Sequence, residues 1–175
     1  MTLSLHDVFV PGCQQVLGGL MGVLNKGEAF ANEQSISEEE MLGARLTEDM
    51  WNLPWHPRSC WMHSAYAIDQ VKTGEFTPNF DAIPDSWDEM RTQVKAAQDA
   101  LAATSPDEID SIADETVHFV LGGKRQMEFT VQNFLLSFSL PNIMFHAATA
   151  YDILRMKGVP VGKRDFMGTP RIKAM

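Results

Sequence analysis

The sequence predicts an all-α protein, a four-helix bundle with one small β-hairpin before the last helix. Apolar residues recur at steps of three and four in several long segments, which is the spacing of a helix that buries one face. Proline and glycine separate these segments. One stretch instead alternates apolar and polar residues around a Gly-Gly turn. The 175 residues suffice for one core, so we expect a single domain over 1–175.

The first helix is indicated by an apolar stripe at Val10, Cys13, Leu17, Leu20 and Leu24. Residues 26–35 are polar and contain a glycine, so they predict a connection. A short helix should follow, because Ser37 and Glu40 have the spacing of a capping box, in which each side chain satisfies the other residue's backbone N–H. The same spacing at Ser105 and Glu108 predicts one or two further helical turns.

Two longer helices between these caps are indicated by proline, glycine and capping residues. Pro57 suits the first turn of a helix over roughly 57–73, which Gly74 would end. Asp85 or Ser86 can cap the next helix. The apolar stripe of that helix is Trp87, Met90, Val94, Ala97 and Leu101.

The hairpin and the last helix follow in the final third of the chain. Residues 117–129 alternate apolar and polar side chains, and a two-stranded hairpin is marginal by itself, so it should lie on the helices. The last helix should cover about 130–157. Pro141 lies inside it and offers no N–H to the carbonyl of Ser137, so we expect a kink at this point.

Composition excludes several classes of partner. The formal net charge is −9, and an acidic chain repels phosphate backbones, so we expect no nucleic-acid partner. Cys13 and Cys60 do not make a disulfide framework, and the N-terminus lacks the pattern of a signal peptide. We therefore expect a cytoplasmic protein. The longest apolar candidate, 131–150, is interrupted by polar residues, so no membrane span is expected.

His63 and His146 are the candidate functional residues. His146 lies towards the core side of the last helix, and His63 lies at the edge of the apolar stripe of the 57–73 helix. A buried imidazole without a hydrogen-bond partner costs about 1–3 kcal/mol. Taken singly, each histidine is interpreted as a core residue, whereas the pair favours a shared polar pocket. Neighbouring groups that could line this pocket are Cys60, Asn142, Thr149 and Tyr151.

Two histidines from facing helices supply half of a metal site. A catalytic Zn²⁺ usually takes three protein ligands plus water. One turn before His146 stands Asn142, whose neutral amide oxygen is a weak ligand for a transition metal. His56 is excluded, because seven residues of continuous helix place it about 10 Å from His63. Cys60 with His63 is the remaining local pair, and Cys60 is interpreted as a core residue.

Three motifs spread along the chain carry a resemblance to a known family. They are "ARLTEDMW" at 44–51, "VLGGKRQMEF" at 120–129 and "LPNIMFHAATAYDILRMKGVPVGKRDFMG" at 140–168. Over nearly its whole length the chain resembles an uncharacterised DUF-type bacterial family of the DinB/YfiT-like superfamily of metalloenzymes. The resemblance implies a four-helix bundle, often a homodimer, mostly cytoplasmic. Thiol-dependent transferases and related metal-dependent enzymes are among the members of that superfamily.

The superfamily pattern implies three metal-binding histidines, one on the second helix and two on the last helix, one turn apart. His63 matches the first place and His146 matches the later of the last-helix pair, while Asn142 stands where the other histidine is expected. The resemblance implies a divalent transition metal such as Zn or Ni. The departure at Asn142 predicts that this metal is absent.

These observations leave three hypotheses for the function. The first is an uncharacterised DinB-like bundle protein whose degenerate metal site serves as a small-molecule-binding pocket. The second is a metal-dependent transferase or hydrolase that uses His63 and His146, with Asn142 or Cys60 as the third ligand. The third is a non-catalytic homodimeric scaffold. The sequence ranks them in this order and names no substrate.

Overall fold

Long helical segments carry most of the chain in the computed structural model, which describes residues 3–81 and 83–173. These segments are Leu5–Gln34, 55–71, Trp87–Ala103 and 131–156. Short helices and a three-stranded sheet connect them. The predicted class is therefore confirmed as a mostly helical protein with a small sheet, and this sheet has one strand more than expected.

The first helix, α1 (Leu5–Gln34), begins and ends at defined caps. The side chain of Ser4 accepts a hydrogen bond from the N–H of Asp7 at 3.2 Å. At the other end Ser35 adopts a left-handed conformation with φ of 55°, which stops the helix. Among the described residues, α1 alone is long and apolar enough to cross a membrane by length and composition. Half of the window that passes this test is buried inside the protein, as in a core helix.

The predicted connection at 26–35 is wrong, because α1 runs through it. Gly27 and Ala31 continue the buried stripe of the helix in place of large apolar residues. Their small size allows close packing: a Cβ atom on Gly27 would lie 2.9 Å from the indole of Trp87. A helix that packs this closely needs no bulky apolar side chain at these positions. The apolar three-four spacing that identifies a helix is therefore missing from this part of the sequence.

The second long helix spans 55–71 and changes its winding midway. Before it, α2 (Glu38–Leu42) forms the Ser37 half of the predicted capping box: the hydroxyl of Ser37 accepts the N–H of Glu40 at 3.2 Å, while the carboxylate of Glu40 contacts Lys157 instead. The long helix itself consists of α3 (Trp55–Trp61), a π-helical turn at 62–66, and α4 (Ala67–Val71). It starts two residues earlier than the sequence predicts.

The third long helix is α5 (Trp87–Ala103). Its cap is Ser86, whose hydroxyl accepts the N–H of Glu89 at 3.2 Å. The helix α6 (Pro106–Asp110) follows, with the predicted capping box at Ser105. Of the two residues that could cap α5, the structure selects Ser86 over Asp85, and a cap is present at Ser105 as predicted.

Replacing Ser86 by alanine should lower the free energy of unfolding by about 1 kcal/mol, because one N–H in the first turn of α5 loses its acceptor. Urea denaturation measures the change. Asp85→Ala is the matched control, since Asp85 is the other residue that could have served as the cap, and it should change stability by less than about 0.5 kcal/mol. A larger loss for Asp85→Ala than for Ser86→Ala would contradict the assignment of the cap.

The sheet has the strand order β1 (Glu75–Phe76), β2 (Thr116–Leu121), β3 (Lys124–Thr130). The predicted hairpin is confirmed: β2 and β3 are antiparallel, with Val117 opposite Phe129. The Gly-Gly turn between them has φ angles of 59° and 74°, which suit glycine. The two-residue strand β1 pairs in parallel with β2 and was not predicted.

The last long helix consists of α7 (Val131–Asn133), a π-helical segment at 134–139, and α8 (Leu140–Met156). The disruption that Pro141 predicts takes the form of this π-helical segment, which ends directly before α8. Inside the protein α8 packs against both α1 and α3. The inner faces of the second and last long helices are therefore brought together.

A final short helix, α9 (Lys163–Met167), was not predicted. It lies across α1 where Gly19 leaves room, since a Cβ atom at Gly19 would stand 2.1 Å from the carbonyl oxygen of Phe166. The ammonium of Lys26 on α1 also contacts the carboxylate of Asp165 at 2.7 Å. The docking of α9 therefore depends on one glycine of α1.

Candidate histidine site

Three histidines meet between the second and last long helices. His56 and His63 come from 55–71, and His146 comes from α8. Their exposed fractions are 1%, 5% and 7%, respectively. The ring of His146 contacts both others: its centroid lies 5.3 Å from that of His56 and 6.3 Å from that of His63. The predicted pair of His63 and His146 is thus brought together, and a third histidine joins it.

His56 is the residue that sequence reasoning excluded. The distance along one helix between His56 and His63 was the reason, but both rings contact the ring of His146 on the facing helix, so all three belong to one cluster. His56 is also the second residue of α3 and fully enclosed, not a boundary residue in solvent. A signal was present in the sequence: positions seven apart lie almost on one face of a helix.

A backbone carbonyl sets the tautomer of His56, that is, which ring nitrogen carries the proton. Its Nε2 lies 3.2 Å from the carbonyl oxygen of Trp51, which can only accept a hydrogen bond, so Nε2 carries the proton. In neutral His56, Nδ1 therefore has a free lone pair. This Nδ1 lies 3.0 Å from Nδ1 of His146. Either His146 donates its Nδ1 proton to His56, or both lone pairs face one cation.

Burial keeps the histidines neutral. Removal from water lowers the pKa of His63 to about 4. The same desolvation, with smaller contributions from the neighbouring His56 and His63, lowers the pKa of His146 to about 3. Desolvation also lowers the pKa of His56, partly offset by the carbonyl of Trp51. At neutral pH the cluster therefore presents uncharged imidazoles, which is the form that binds metals.

A column of nearly parallel rings runs through the cluster. Trp51 stacks on His146 at 5.9 Å and 12°, and His146 stacks on His63 with planes 6° apart. His63 in turn stacks on Phe76 of β1 at 5.8 Å and 24°. On the outer side, Trp55 stacks on Trp51 at 4.6 Å. The unpredicted strand β1 thus supplies the inner end of the column, and Trp51 supplies the outer cover of His146.

In three other residues predicted for the pocket, the side-chain donor group forms a hydrogen bond to a backbone carbonyl. The amide nitrogen of Asn142 donates to the carbonyl of Phe138 at 2.7 Å. The hydroxyl of Thr149 donates to its own helix, and the thiol of Cys60 donates to a carbonyl of α8 at 3.6 Å. Complete burial raises the pKa of Cys60, so this thiol is not a nucleophile at neutral pH.

Tyr151 lies apart from the histidines. Its ring contacts Phe166 of α9 edge-on at 6.0 Å. It lines a small cavity with Ala148, Asp152 and Lys163. The structure therefore does not bring Tyr151 into the predicted pocket.

Comparison with known proteins places the chain in a family. A family model described as "Domain of unknown function (DUF1993)" matches residues 5–167. The chain belongs to the DUF1993 family. A crystal structure of a DinB family member protein from Shewanella denitrificans is similar to it, with a TM-score of 0.83 and 26% identity over 98% of this chain and 96% of that one. No curated protein matches the sequence. The predicted resemblance to an uncharacterised DinB-like family is confirmed.

The donor atoms of this DUF1993 protein fit a transition metal in part. Two nitrogens bound to one tetrahedral ion at 2.0–2.1 Å stand about 3.3 Å apart. The 3.0 Å between His56 and His146 is close to that value. His63 is farther out, and within 3–81 and 83–173 no three His, Cys, Asp or Glu side chains stand close enough together to hold an ion without adjustment. Nδ1 of His63 is buried and has no hydrogen-bond partner among the described residues, so no protein group competes with an ion for it.

Proposed function

We propose that His56, His63 and His146 hold a divalent transition metal such as Zn or Ni, and that the protein is a metal-dependent transferase or hydrolase. One observation carries the proposal. The lone pair of His56 Nδ1, fixed by the carbonyl of Trp51, faces Nδ1 of His146 at 3.0 Å in a buried and neutral cluster. Imidazole nitrogen suits Zn and Ni, and three such donors are a common catalytic ligand set.

The residues around the cluster have distinct roles in this proposal. The Trp51 carbonyl orients His56 and fixes its tautomer, as outer-shell carbonyls do for metal-binding histidines. Burial keeps His63 and His146 unprotonated, so protons do not compete for their lone pairs at neutral pH. A bound metal would lower the pKa of a water or thiol in its open position. Asn142 has no role as a ligand in this proposal, because its amide oxygen is a weak donor for a transition metal, while its NH2 donates to the carbonyl of Phe138.

The third histidine changes the order of the hypotheses. The degenerate-site hypothesis follows from the missing donor at Asn142, and His56 supplies a donor from the opposite helix instead. The remaining metal-free alternative is a plain hydrogen bond from His146 to His56. Metal titration separates these two possibilities.

Metal titration of protein purified without chelators tests the proposal. We expect one equivalent of Zn²⁺, Ni²⁺ or Co²⁺ per chain, measured by calorimetry and by elemental analysis after gel filtration. His146→Ala should weaken binding by at least about 100-fold, since loss of an outer-shell partner alone costs 10–100-fold. His118→Ala is the matched control and should bind like the wild type. His118 lies on β2, where its partner is Glu128 at 3.6 Å.

Two further variants identify the ligand set. His56→Ala should lose binding as His146→Ala does, whereas Asn142→Ala should retain it. If Asn142→Ala lost the metal and His56→Ala kept it, the ligands would be the set that the family pattern implies. If the wild-type protein bound no metal at micromolar concentrations, the cluster would be a metal-free hydrogen bond and the proposal would be wrong.

A further inference from the structure

Two exposed aromatic side chains, Trp51 and Phe145, are in ring contact with His146. The exposed fraction of Trp51 is 42%, although it stacks on His146 at 5.9 Å and on Trp55 at 4.6 Å. Among the described residues these stacks hold the indole, and no hydrogen bond to the indole supplements them. Phe145 also touches His146, but edge-on at 5.2 Å, so it does not cover the face of the imidazole as Trp51 does.

The backbone of Trp51 is held much more firmly than its side chain. Its carbonyl accepts the Nε2 proton of His56. Two residues later the fully buried Leu53 donates its N–H to the carbonyl of Ala44 at 3.0 Å. On the other side, Met50 donates its N–H to the carbonyl of Thr47 at 3.1 Å. The backbone is thus anchored before and after the indole, so the side chain can rotate about its χ1 bond while the backbone stays in place.

We infer that Trp51 is the gate of the histidine cluster. Its indole swings away to admit a ligand to His146, while its backbone carbonyl stays bonded to His56 and keeps that ring oriented. With the indole in place the three imidazoles are almost completely enclosed. A minor open conformation that lies a few kcal/mol above the closed one is populated at about 0.1–10%, which suffices to admit a ligand. The use of the gate rests on the proposed function, but its existence can be tested on metal-free protein.

Acylation of histidines by diethyl pyrocarbonate measures the gate directly. An unprotonated imidazole nitrogen takes the ethoxycarbonyl group as ethanol and CO₂ leave, and mass spectrometry of peptides gives a rate for each histidine. In the wild type, His146 should react at least about tenfold more slowly than His118, which is partly exposed on β2. In Trp51→Ala, His146 should react at least about tenfold faster than in the wild type. This variant retains the backbone carbonyl that orients His56.

Three controls make the result decisive. Trp51→Phe should react almost as slowly as the wild type, because a smaller ring still covers His146. Trp61→Ala removes an indole that contacts Tyr66 at 4.9 Å and is not in ring contact with His146, and it should leave the rate at His146 unchanged. The thiol of Cys60 reports unfolding, since it is fully buried and should stay unreactive towards a thiol reagent in every folded variant.

Two outcomes would overturn the gate. One is an unchanged rate at His146 in a folded Trp51→Ala protein. The other is an equal gain in Trp61→Ala. Should Trp51→Ala expose Cys60, Trp51→Leu replaces it, with at least a fivefold gain expected at His146. These rates need no metal, so failure of the metal titration leaves this test intact, and failure of this test leaves the metal proposal standing.

Discussion

Acidification of the metal-free protein from pH 7 to pH 4 is expected to lower its free energy of unfolding by several kcal/mol. The reason is the buried pair of His63 and His146. In the unfolded chain each imidazole takes up a proton near pH 6.5. In the folded protein burial lowers these pKa values to about 4 and about 3, so the protons bind the unfolded chain first.

The sign and the pH window follow from this difference. Above about pH 6.5 both states are neutral, and the histidines make no pH-dependent contribution. Below it the unfolded state binds more protons, so stability falls steadily until the pH reaches the folded-state pKa values. A pKa difference of one unit corresponds to 1.36 kcal/mol. Because pH 4 lies about 2.5 units below the unfolded-state pKa, each imidazole contributes a loss of about 3 kcal/mol by that pH.

Urea denaturation at half-unit steps from pH 7.5 to pH 4.5 measures this loss in isolation. The lowered carboxyl pKa values, such as that of Glu108 at about 2 beside Lys72, affect stability mainly below the ordinary value of 4.5. Stability that stays constant between pH 6.5 and pH 4.5 would contradict the buried, neutral state of the histidines.

His63→Leu is the matched variant for the pH experiment. Leucine has nearly the volume of histidine and introduces no polar atom, and Nδ1 of His63 has no partner to lose among the described residues. At pH 7 we expect a small change in stability. Between pH 6.5 and pH 4.5 the variant should lose clearly less stability than the wild type, because one of the protonating groups is gone.

Gly19→Ala should destabilise the protein by about 2–3 kcal/mol. An added Cβ atom would lie 2.1 Å from the carbonyl oxygen of Phe166 and 3.1 Å from that of Asp165. Both atoms belong to the backbone of α9, so a rotamer change cannot relieve the overlap, and α9 must shift or detach. The cost is that of an overpacked interface.

Gly22→Ala is the control for this prediction. It lies on the same helix one turn later, and a Cβ atom there meets nothing within 4 Å. Alanine should therefore stabilise α1 by about 0.5–1 kcal/mol through helix propensity. Thermal and urea unfolding give both values, and amide exchange over 163–167 shows whether α9 detaches. Equal stabilisation by the two substitutions would disprove the close contact between α1 and α9.

The sequence by itself determined the features that depend on neighbours along the chain. The apolar period predicted the long helices. The caps at Ser37 and Ser105 were readable, and the cap of α5 was narrowed to Asp85 or Ser86, because a cap bonds within three residues. The Gly-Gly turn predicted the hairpin in the same way. These signals also placed His63 and His146 on the inner faces of their helices.

Only the tertiary structure decided where the short and closely packed elements lie. The strand β1 has two residues and exists because β2 lies beside it. The helix α9 has five residues and docks where Gly19 leaves space. The end of α1 looked like a connection because Gly27 fits against Trp87 and so carries no apolar side chain. Such elements are stabilised by distant contacts, and their local sequence carries little signal.

The histidine site likewise has one part that the sequence predicted and one part that only helix packing decided. His63 and His146 could be paired from the sequence, because each faces the core of its own helix. The seven-residue spacing put His56 on nearly the same face as His63, but whether His56 or Tyr151 meets His146 depends on how far one helix is displaced and rotated against another. Convergence of side chains in space is set by the packing of whole helices, and no short-range pattern in the chain encodes it.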